Sequence, residues 1–164
     1  MTHSHALTRR SLLTTTIAAG AALPLAARAA SADVAASWRK LTDADWKSRL
    51  PAESYAVLRH EATETPFTSP LLKEHRTGVF ACLGCALPLF RSTWKYDSGT
   101  GWPSFYDAIP GALAKKADYA IGIPRTEYHC SRCLGHQGHV FDDGPAPTHL
   151  RYCNNGVALM FKAA

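Results

Sequence analysis

Tyr119-Ala-Ile-Gly-Ile123 and Val157-Ala-Leu-Met-Phe161 place large apolar side chains at every second position, the period of a half-buried strand. From Gly78 onward such short runs recur between Gly, Pro and Asp punctuation about every ten residues, which predicts a mainly β, mostly antiparallel domain. Upstream the period changes. Ser37 to about Leu50 reads as a helix, with Thr42 as N-cap, Asp43 and Asp45 in the first turn, and Leu41 placed to pack on Trp46. Pro51 ends it, and a second helix is expected from Ala52 to about His60. Thr63 to Pro70 reads as a loop with two prolines, and Leu71 to His75 as one further helical turn. Apart from a duplicated CxxC there is no internal repeat, and no linker divides residues 30–164.

The first thirty residues contain no Asp or Glu and carry Thr8-Arg-Arg-Ser-Leu-Leu13 ahead of a mildly apolar stretch ending in Ala27-Arg-Ala29. Residues 1–29 therefore read as a signal peptide of the twin-arginine type, with a periplasmic destination. Ser11 to Ala27 is too short and too weakly apolar for a lasting membrane anchor. The formal charge of +5 belongs mostly to this segment: without its three arginines, 15 basic residues face 13 acidic ones, a net +2. The remaining Lys and Arg are scattered, so nothing resembles a phosphate-neutralising run and no nucleic-acid partner is expected.

Cys82, Cys85, Cys130 and Cys133 form two CxxC pairs, and Cys153 is left over. Two such knuckles brought together supply four thiolates to one Zn²⁺, with Gly84 letting backbone amides turn toward the sulfurs. Redox-active CxxC pairs and structural disulfides are the rival readings, since an oxidising compartment permits both. If Arg151-Tyr-Cys-Asn-Asn155 is a strand, residues 151, 153 and 155 share a face, and the Arg151 guanidinium favours the Cys153 thiolate. Asn155-Gly156 is also a hairpin-turn signal, which would end the strand before Asn155. In Gly135-His-Gln-Gly-His-Val-Phe-Asp-Asp-Gly144, Gly135 and Gly138 permit a bend that brings His136 and His139 together, beside Asp142 and Asp143, as proton donors near neutral pH. A zinc ligand or exposed turn residues are the other roles open to these histidines. Ser98-Gly-Thr-Gly-Trp-Pro-Ser-Phe105 sets Trp102 and Phe105 on a glycine-rich loop, where Trp102 either walls a pocket for a thioether methyl or belongs to the core.

Taken in order, Cys82-Leu-Gly-Cys85, Gly101-Trp-Pro-Ser-Phe105, Cys130-Ser-Arg-Cys133, Gly135 to Pro145 and Arg151-Tyr-Cys-Asn-Asn155 resemble the methionine-R-sulfoxide reductase B family. The likeness runs from about Leu41 to Phe161. It implies a β-tent-like fold of two antiparallel sheets with short N-terminal helices, and one structural Zn²⁺ held by Cys82, Cys85, Cys130 and Cys133. It further implies that Cys153 attacks the sulfoxide sulfur, that Trp102 receives the methyl with Phe105 nearby in the substrate site, and that His136, His139, Asp143, Arg151 and Asn155 orient and activate the substrate. The expected activity is reduction of the R epimer of methionine sulfoxide, in oxidised proteins or free, through a Cys153 sulfenic acid. Thr100 stands where many relatives carry a resolving cysteine, so an external thiol, thioredoxin-like or other, is the expected reductant. Gln137 replaces a commonly apolar residue. A periplasmic thiol-disulfide oxidoreductase and a non-enzymatic zinc-stabilised binding module are the alternatives: the first requires redox-active CxxC sulfurs and no metal, the second an unreactive Cys153.

Overall fold

The computed structural model describes residues 33–164. The signal peptide expected over residues 1–29 lies outside the described residues. Among the described residues three short helices precede the strands: α1 (described over 33–39), α2 (Asp43–Arg49) and α3 (Ala52–His60). The single helix expected from Ser37 to Leu50 is thus two. Thr42 is extended (φ −73°, ψ 166°); its hydroxyl accepts the Asp45 N–H at 3.2 Å, and the Asp45 carboxylate accepts the Thr42 N–H at 2.8 Å. A cap of this kind needs non-helical backbone, so the helix restarts there instead of running through. The further helical turn falls at Pro70–Lys73, a 3₁₀ turn capped by Ser69.

Nine strands follow, β1 (Gly78–Cys82), β2 (Pro88–Arg91), β3 (Lys95–Tyr96), β4 (Ser104–Phe105), β5 (Leu113–Asp118), β6 (Arg125–Cys130), β7 (His136–Phe141), β8 (Arg151–Asn154) and β9 (Leu159–Ala163). They form two antiparallel sheets, β2-β1-β9 and β3-β4-β8-β7-β6-β5. The run Val157 to Phe161 becomes a 3₁₀ turn followed by β9. Tyr119 to Ile123 is not a strand at all. Gly122 takes a φ of 76° and its N–H bonds the Tyr119 carbonyl at 3.0 Å, so the run turns and joins β5 to β6 with its large side chains exposed. Period-two spacing cannot distinguish a strand from a turn whose apolar side chains meet no partner surface.

The two sheets enclose Phe80, Leu89, Phe90, Phe105, Tyr128 and Tyr152, with Trp46, Val57 and Leu58 of the helices closing one side. Phe90 and Phe105 stack at 4.2 Å, and Phe80 meets Phe105 edge-on at 5.0 Å. Side chains of this size contribute roughly 2–3 kcal/mol each on full burial. This packing fixes the strand register, and the register fixes the site. Across the larger sheet Tyr96 lies opposite Ser104, Ser104 opposite Cys153, Cys153 opposite His139, His139 opposite Glu127, and Glu127 opposite Lys116. Paired residues project from the same face, so one row of side chains carries a thiol, an imidazole and a carboxylate.

Candidate active site and thiol cluster

His136 and His139 are three apart and would face opposite ways on a regular strand. The β6–β7 register runs Tyr128 to Gly138 and then His129 to His136, leaving Gln137 as an extra residue on β7. This bulge turns both imidazoles to one side, with ring centroids 5.5 Å apart. Gly138 is required beside it: a Cβ there would stand 1.9 Å from the Cys153 carbonyl oxygen. Cys153 and His139 therefore meet on adjacent strands at a cleft of about 120 Å³, lined also by Thr63, Trp102, Arg125, Phe141 and Asn155.

Each group in the cleft is held from behind. His139 Nε2 lies 2.7 Å from an Asp118 carboxylate oxygen, which also accepts from Arg125 at 2.5 Å. Asp118 is held well below the usual carboxylate range, first by the Ala120 N–H and then by His139. Burial pushes His139 below its usual value despite that partner. His136 Nδ1 lies 2.7 Å from Glu127, which bonds His129 with its other oxygen at 2.9 Å. Burial pushes Glu127 up, but the two histidines outweigh it and keep the carboxyl below its ordinary range. Trp102 Nε1 donates to the Glu64 carbonyl at 2.9 Å, the Glu64 N–H donates to Asn155 Oδ1 at 2.9 Å, and the Gly156 N–H donates to the Glu64 carboxylate at 2.5 Å. Glu64 thus brackets both walls of the cleft.

Arg151 forms a two-point pair with Asp143, both bonds 2.8 Å, and lies 4.3 Å over the Phe141 ring. The pair uses Nε and Nη2 and leaves the guanidinium beside Cys153, where its charge and a hydrogen bond still favour the thiolate. Burial pushes the Cys153 thiol above its usual value, and the Thr100 hydrogen bond and the Arg151 charge only partly offset it. Burial thus outweighs the Arg151 charge that the sequence reading relies on to favour the thiolate. Thr100 Oγ1 is 4.0 Å from Cys153 Sγ and ends a chain of hydroxyls, 2.8 Å to Ser98 and 2.7 Å on to Ser104.

Cys82 and Cys85 leave the β1–β2 hairpin of the smaller sheet, and Cys130 and Cys133 the β6–β7 hairpin of the larger. All four are buried, none is in a disulfide, and their sulfurs lie within 4.8 Å of one another. The contacts across the two knuckles are 3.5 and 3.6 Å. A tetrahedral site with metal–sulfur bonds of about 2.3 Å needs sulfur–sulfur edges of about 3.8 Å, so the set fits a metal ion. Hydrogen bonds among the thiols raise Cys82 and Cys133 and lower Cys85 and Cys130, a proton distribution that a bound cation would replace. The tight turns are made at Ala86 and Leu134, with φ of 58° and 62°. Gly84 serves space instead, since a Cβ would meet the Trp46 ring at 3.3 Å.

Residues 50–163 match the SelR domain. The chain is 50% identical over 121 residues to the peptide methionine sulfoxide reductase MsrB of Thiobacillus denitrificans, covering 73% of this chain and 92% of that one. It is 47% identical over 122 residues to the protein of the same name from Agrobacterium fabrum, covering 74% and 90%. The chain belongs to the MsrB family. A likeness to the Yippee-like domain of Mis18, with a TM-score of 0.44 and 17% identity over 54% of this chain and 98% of that one, is too remote to bear on fold or function.

In this MsrB-family chain the structure brings Cys153, His139, Trp102 and Asn155 to one cleft. His136 is buried behind His139, and Asn155, just past the end of β8, ties the Glu64 loop to the Gln137 carbonyl at 3.0 Å. Asp143 holds Arg151 and is itself largely exposed. Phe105 corrects the sequence reading: it is fully buried and stacked on Phe90, because its partner across β4 and β8 is Tyr152, on the core side, whereas its neighbour Ser104 faces Cys153. The sequence patterns do not mark Asp118, Arg125, Glu127 or Glu64. The opposite charges of Asp118 and Arg125, either side of a Gly-containing run, were the available signal for the first two, since a hairpin there pairs them directly.

Gln137, the unusual bulge residue, is fully buried; its Nε2 donates to Cys82 Sγ at 3.4 Å, and its Oε1 accepts from Asn154 at 3.4 Å. It links the thiol cluster to the strand that carries Cys153. Gln137→Leu removes both bonds while Asn154 keeps the Asn155 carbonyl at 2.8 Å. The expected loss is about 1–2 kcal/mol, read as a fall of roughly 3–6 °C in Tm and as faster metal loss to a chelator.

Proposed function

We propose that this protein reduces the R epimer of methionine sulfoxide, with Cys153 as nucleophile, after export to the periplasm. The observation that carries the reaction is the register pairing of Cys153 with His139 at the floor of a cleft sized for one side chain and walled by Trp102. The choice of the R epimer rests on the family. Trp102 offers a ring face to the substrate methyl, a contact favourable to sulfur and its substituents.

With the thiol raised and the imidazole lowered, the free enzyme rests as Cys153–SH beside neutral His139. His139 takes the thiol proton as the sulfur attacks the substrate sulfur, and returns it to the departing oxygen, which cannot leave as oxide. The S–O bond breaks, and the released hydroxide attacks the Cys153 sulfur and breaks the S–S bond just formed, giving the sulfenic acid and methionine; the substrate sulfur gains two electrons and Cys153 loses two. The other four cysteines sit together in the buried cluster, so no spare thiol resolves the sulfenic acid. Two equivalents of an external thiol restore Cys153, releasing water and a disulfide. Zn²⁺ is the ion proposed for the cluster, where it joins the two hairpins and takes no part in the step. The twin-arginine type of leader suits such a site, because that route exports proteins already folded. Among the described residues no helix is long and apolar enough to cross a membrane.

One equivalent of R-sulfoxide without reductant, followed by dimedone, should label Cys153 alone by mass spectrometry; labelling elsewhere, or none with sulfoxide consumed, contradicts the assignment. The pH profile follows from the two shifts. Protonation of His139 below its lowered pKa blocks proton transfer, so kcat/KM holds level from the ordinary histidine value of 6.5 up to the ordinary thiol value of 9.0, its acid limb lying below that span. His139→Gln is expected to lower kcat/KM by about 10²–10³ and remove the acid limb; a variant that keeps the limb assigns it to another group.

A further inference from the structure

Cys153 has unlike neighbours on its two sides in the larger sheet: the His139 imidazole on β7, and a line of hydroxyls on β4 and the loop before it. Ser104, directly opposite Cys153, is fully buried, and its hydroxyl donates to the Trp102 carbonyl at 3.2 Å. Ser98 Oγ lies 2.7 Å from Ser104 Oγ and 2.8 Å from Thr100 Oγ1, and Thr100 Oγ1 lies 4.0 Å from Cys153 Sγ. Each hydroxyl has one hydrogen to give and the carbonyl has none, so counting fixes the direction of the line. Ser104 gives its hydrogen to Trp102 and accepts from Ser98; Ser98 in turn accepts from Thr100; Thr100 has none left for the sulfur and accepts the Cys153 S–H. Four hydrogens fill four contacts when Cys153 is a thiol. A thiolate leaves three hydrogens for the same four contacts. The charged sulfur is then the strongest acceptor of the set, so Thr100 turns to Sγ, Ser98 to Thr100 and Ser104 to Ser98. The contact left unmade is the longest one between oxygens, the 3.2 Å bond to the Trp102 carbonyl.

We propose that Thr100, backed by Ser98 and Ser104, is a further catalytic residue: its hydroxyl accepts the Cys153 hydrogen in the resting enzyme and donates to the sulfur once that proton has gone. The proposal rests on the reductase reading, in which Cys153 attacks the sulfoxide. At the start of that step the thiol hydrogen swings from Thr100 to His139, which takes it as a proton. The hydroxyls rotate without losing a hydrogen, and the electron pair left on sulfur is the one that attacks. Burial pushes the thiol up, and the Thr100 hydroxyl is the largest influence in the opposite direction, ahead of Arg151. At 4.0 Å the contact is long, and it shortens when the acceptor becomes charged.

The other charged or titratable groups facing Cys153 are Arg151 and Asp143, His139 of β7, Arg125 in the cleft and Tyr96 of β3, and the test leaves all of them in place. The pH dependence of Cys153 alkylation by iodoacetamide, followed by mass spectrometry on the zinc-loaded protein, reads the thiolate without any turnover. Thr100→Val keeps the shape and removes the hydroxyl. It should raise the alkylation midpoint by about one pH unit and lower kcat/KM by about tenfold. Thr100→Ser should restore both, and Thr100→Ala, which needs no room, should repeat the loss. Ser98→Ala cuts the line but frees the Thr100 hydrogen for the sulfur, so its midpoint should lie at or below that of wild type. A line that only holds the loop in shape predicts instead that every break raises the midpoint alike. An unchanged midpoint in Thr100→Val and Thr100→Ala, or one raised by Ser98→Ala as much as by Thr100→Val, overturns the proposal. The expected order of midpoints in a protein that turns over no sulfoxide sinks the reductase reading alone.

Discussion

Cys153→Ser is expected to eliminate turnover, with a loss on the order of 10⁴ or more in kcat. A hydroxyl in the same place is a far weaker nucleophile, and it cannot accept oxygen to form a sulfenic acid. The fold should survive. Cys153 lies outside the four-thiol cluster and is only partly buried, and its Thr100 contact is long, at 4.0 Å. Thermal unfolding within about 2 °C of wild type, a surface-sized effect, together with unchanged metal content, would assign the whole loss to chemistry. Residual turnover above a few per cent would move the nucleophile elsewhere, and the four clustered thiols are the available sulfurs.

Removing the metal should have the largest effect on stability. The cluster joins a hairpin of the three-stranded sheet to a hairpin of the six-stranded sheet, so its loss releases the two layers from each other at that end. Four buried thiols would then face one another without a cation. Structural zinc contributes an apparent 10–16 kcal/mol or so in small zinc domains, against a net stability of roughly 5–15 kcal/mol for a domain of this kind. Cys130→Ser, or chelation of the wild-type protein, is therefore expected to abolish cooperative unfolding in calorimetry, with recovery on adding Zn²⁺ to wild type only. Because the ligands must be deprotonated, the same loss should follow acidification. A chelated protein that still unfolds cooperatively near the holoprotein's Tm would show that the cluster carries no fold stability.

Much of this molecule was legible in the sequence because its information is local. The capping residues of α2, the spacing of the two CxxC knuckles and the motif around Cys153 all declare themselves within a few residues. What was hidden depends on strand pairing. Phe105 and Ser104 alternate faces, and only the pairing with Tyr152 and Cys153 shows which of them reaches the cleft. Asp118 and Glu127 serve histidines 21 and nine residues away, reached across neighbouring strands. Glu64 stands in what reads only as a loop with two prolines, yet it is buried, its polar atoms meeting Trp102, Asn155 and Gly156. The 119–123 run departs from its strand reading for a related reason: apolar spacing predicts burial against something, and among the described residues nothing covers it.

The reaction proposed at Cys153 is stereospecific sulfoxide reduction. It is tested most directly by supplying separate R and S epimers of blocked methionine sulfoxide to the mature, zinc-loaded protein with dithiothreitol, and quantifying methionine formed. Turnover of the R epimer with none of the S epimer, lost in Cys153→Ser, is the predicted result. Turnover of neither epimer by folded, metal-replete protein, or equal turnover of both, would contradict it.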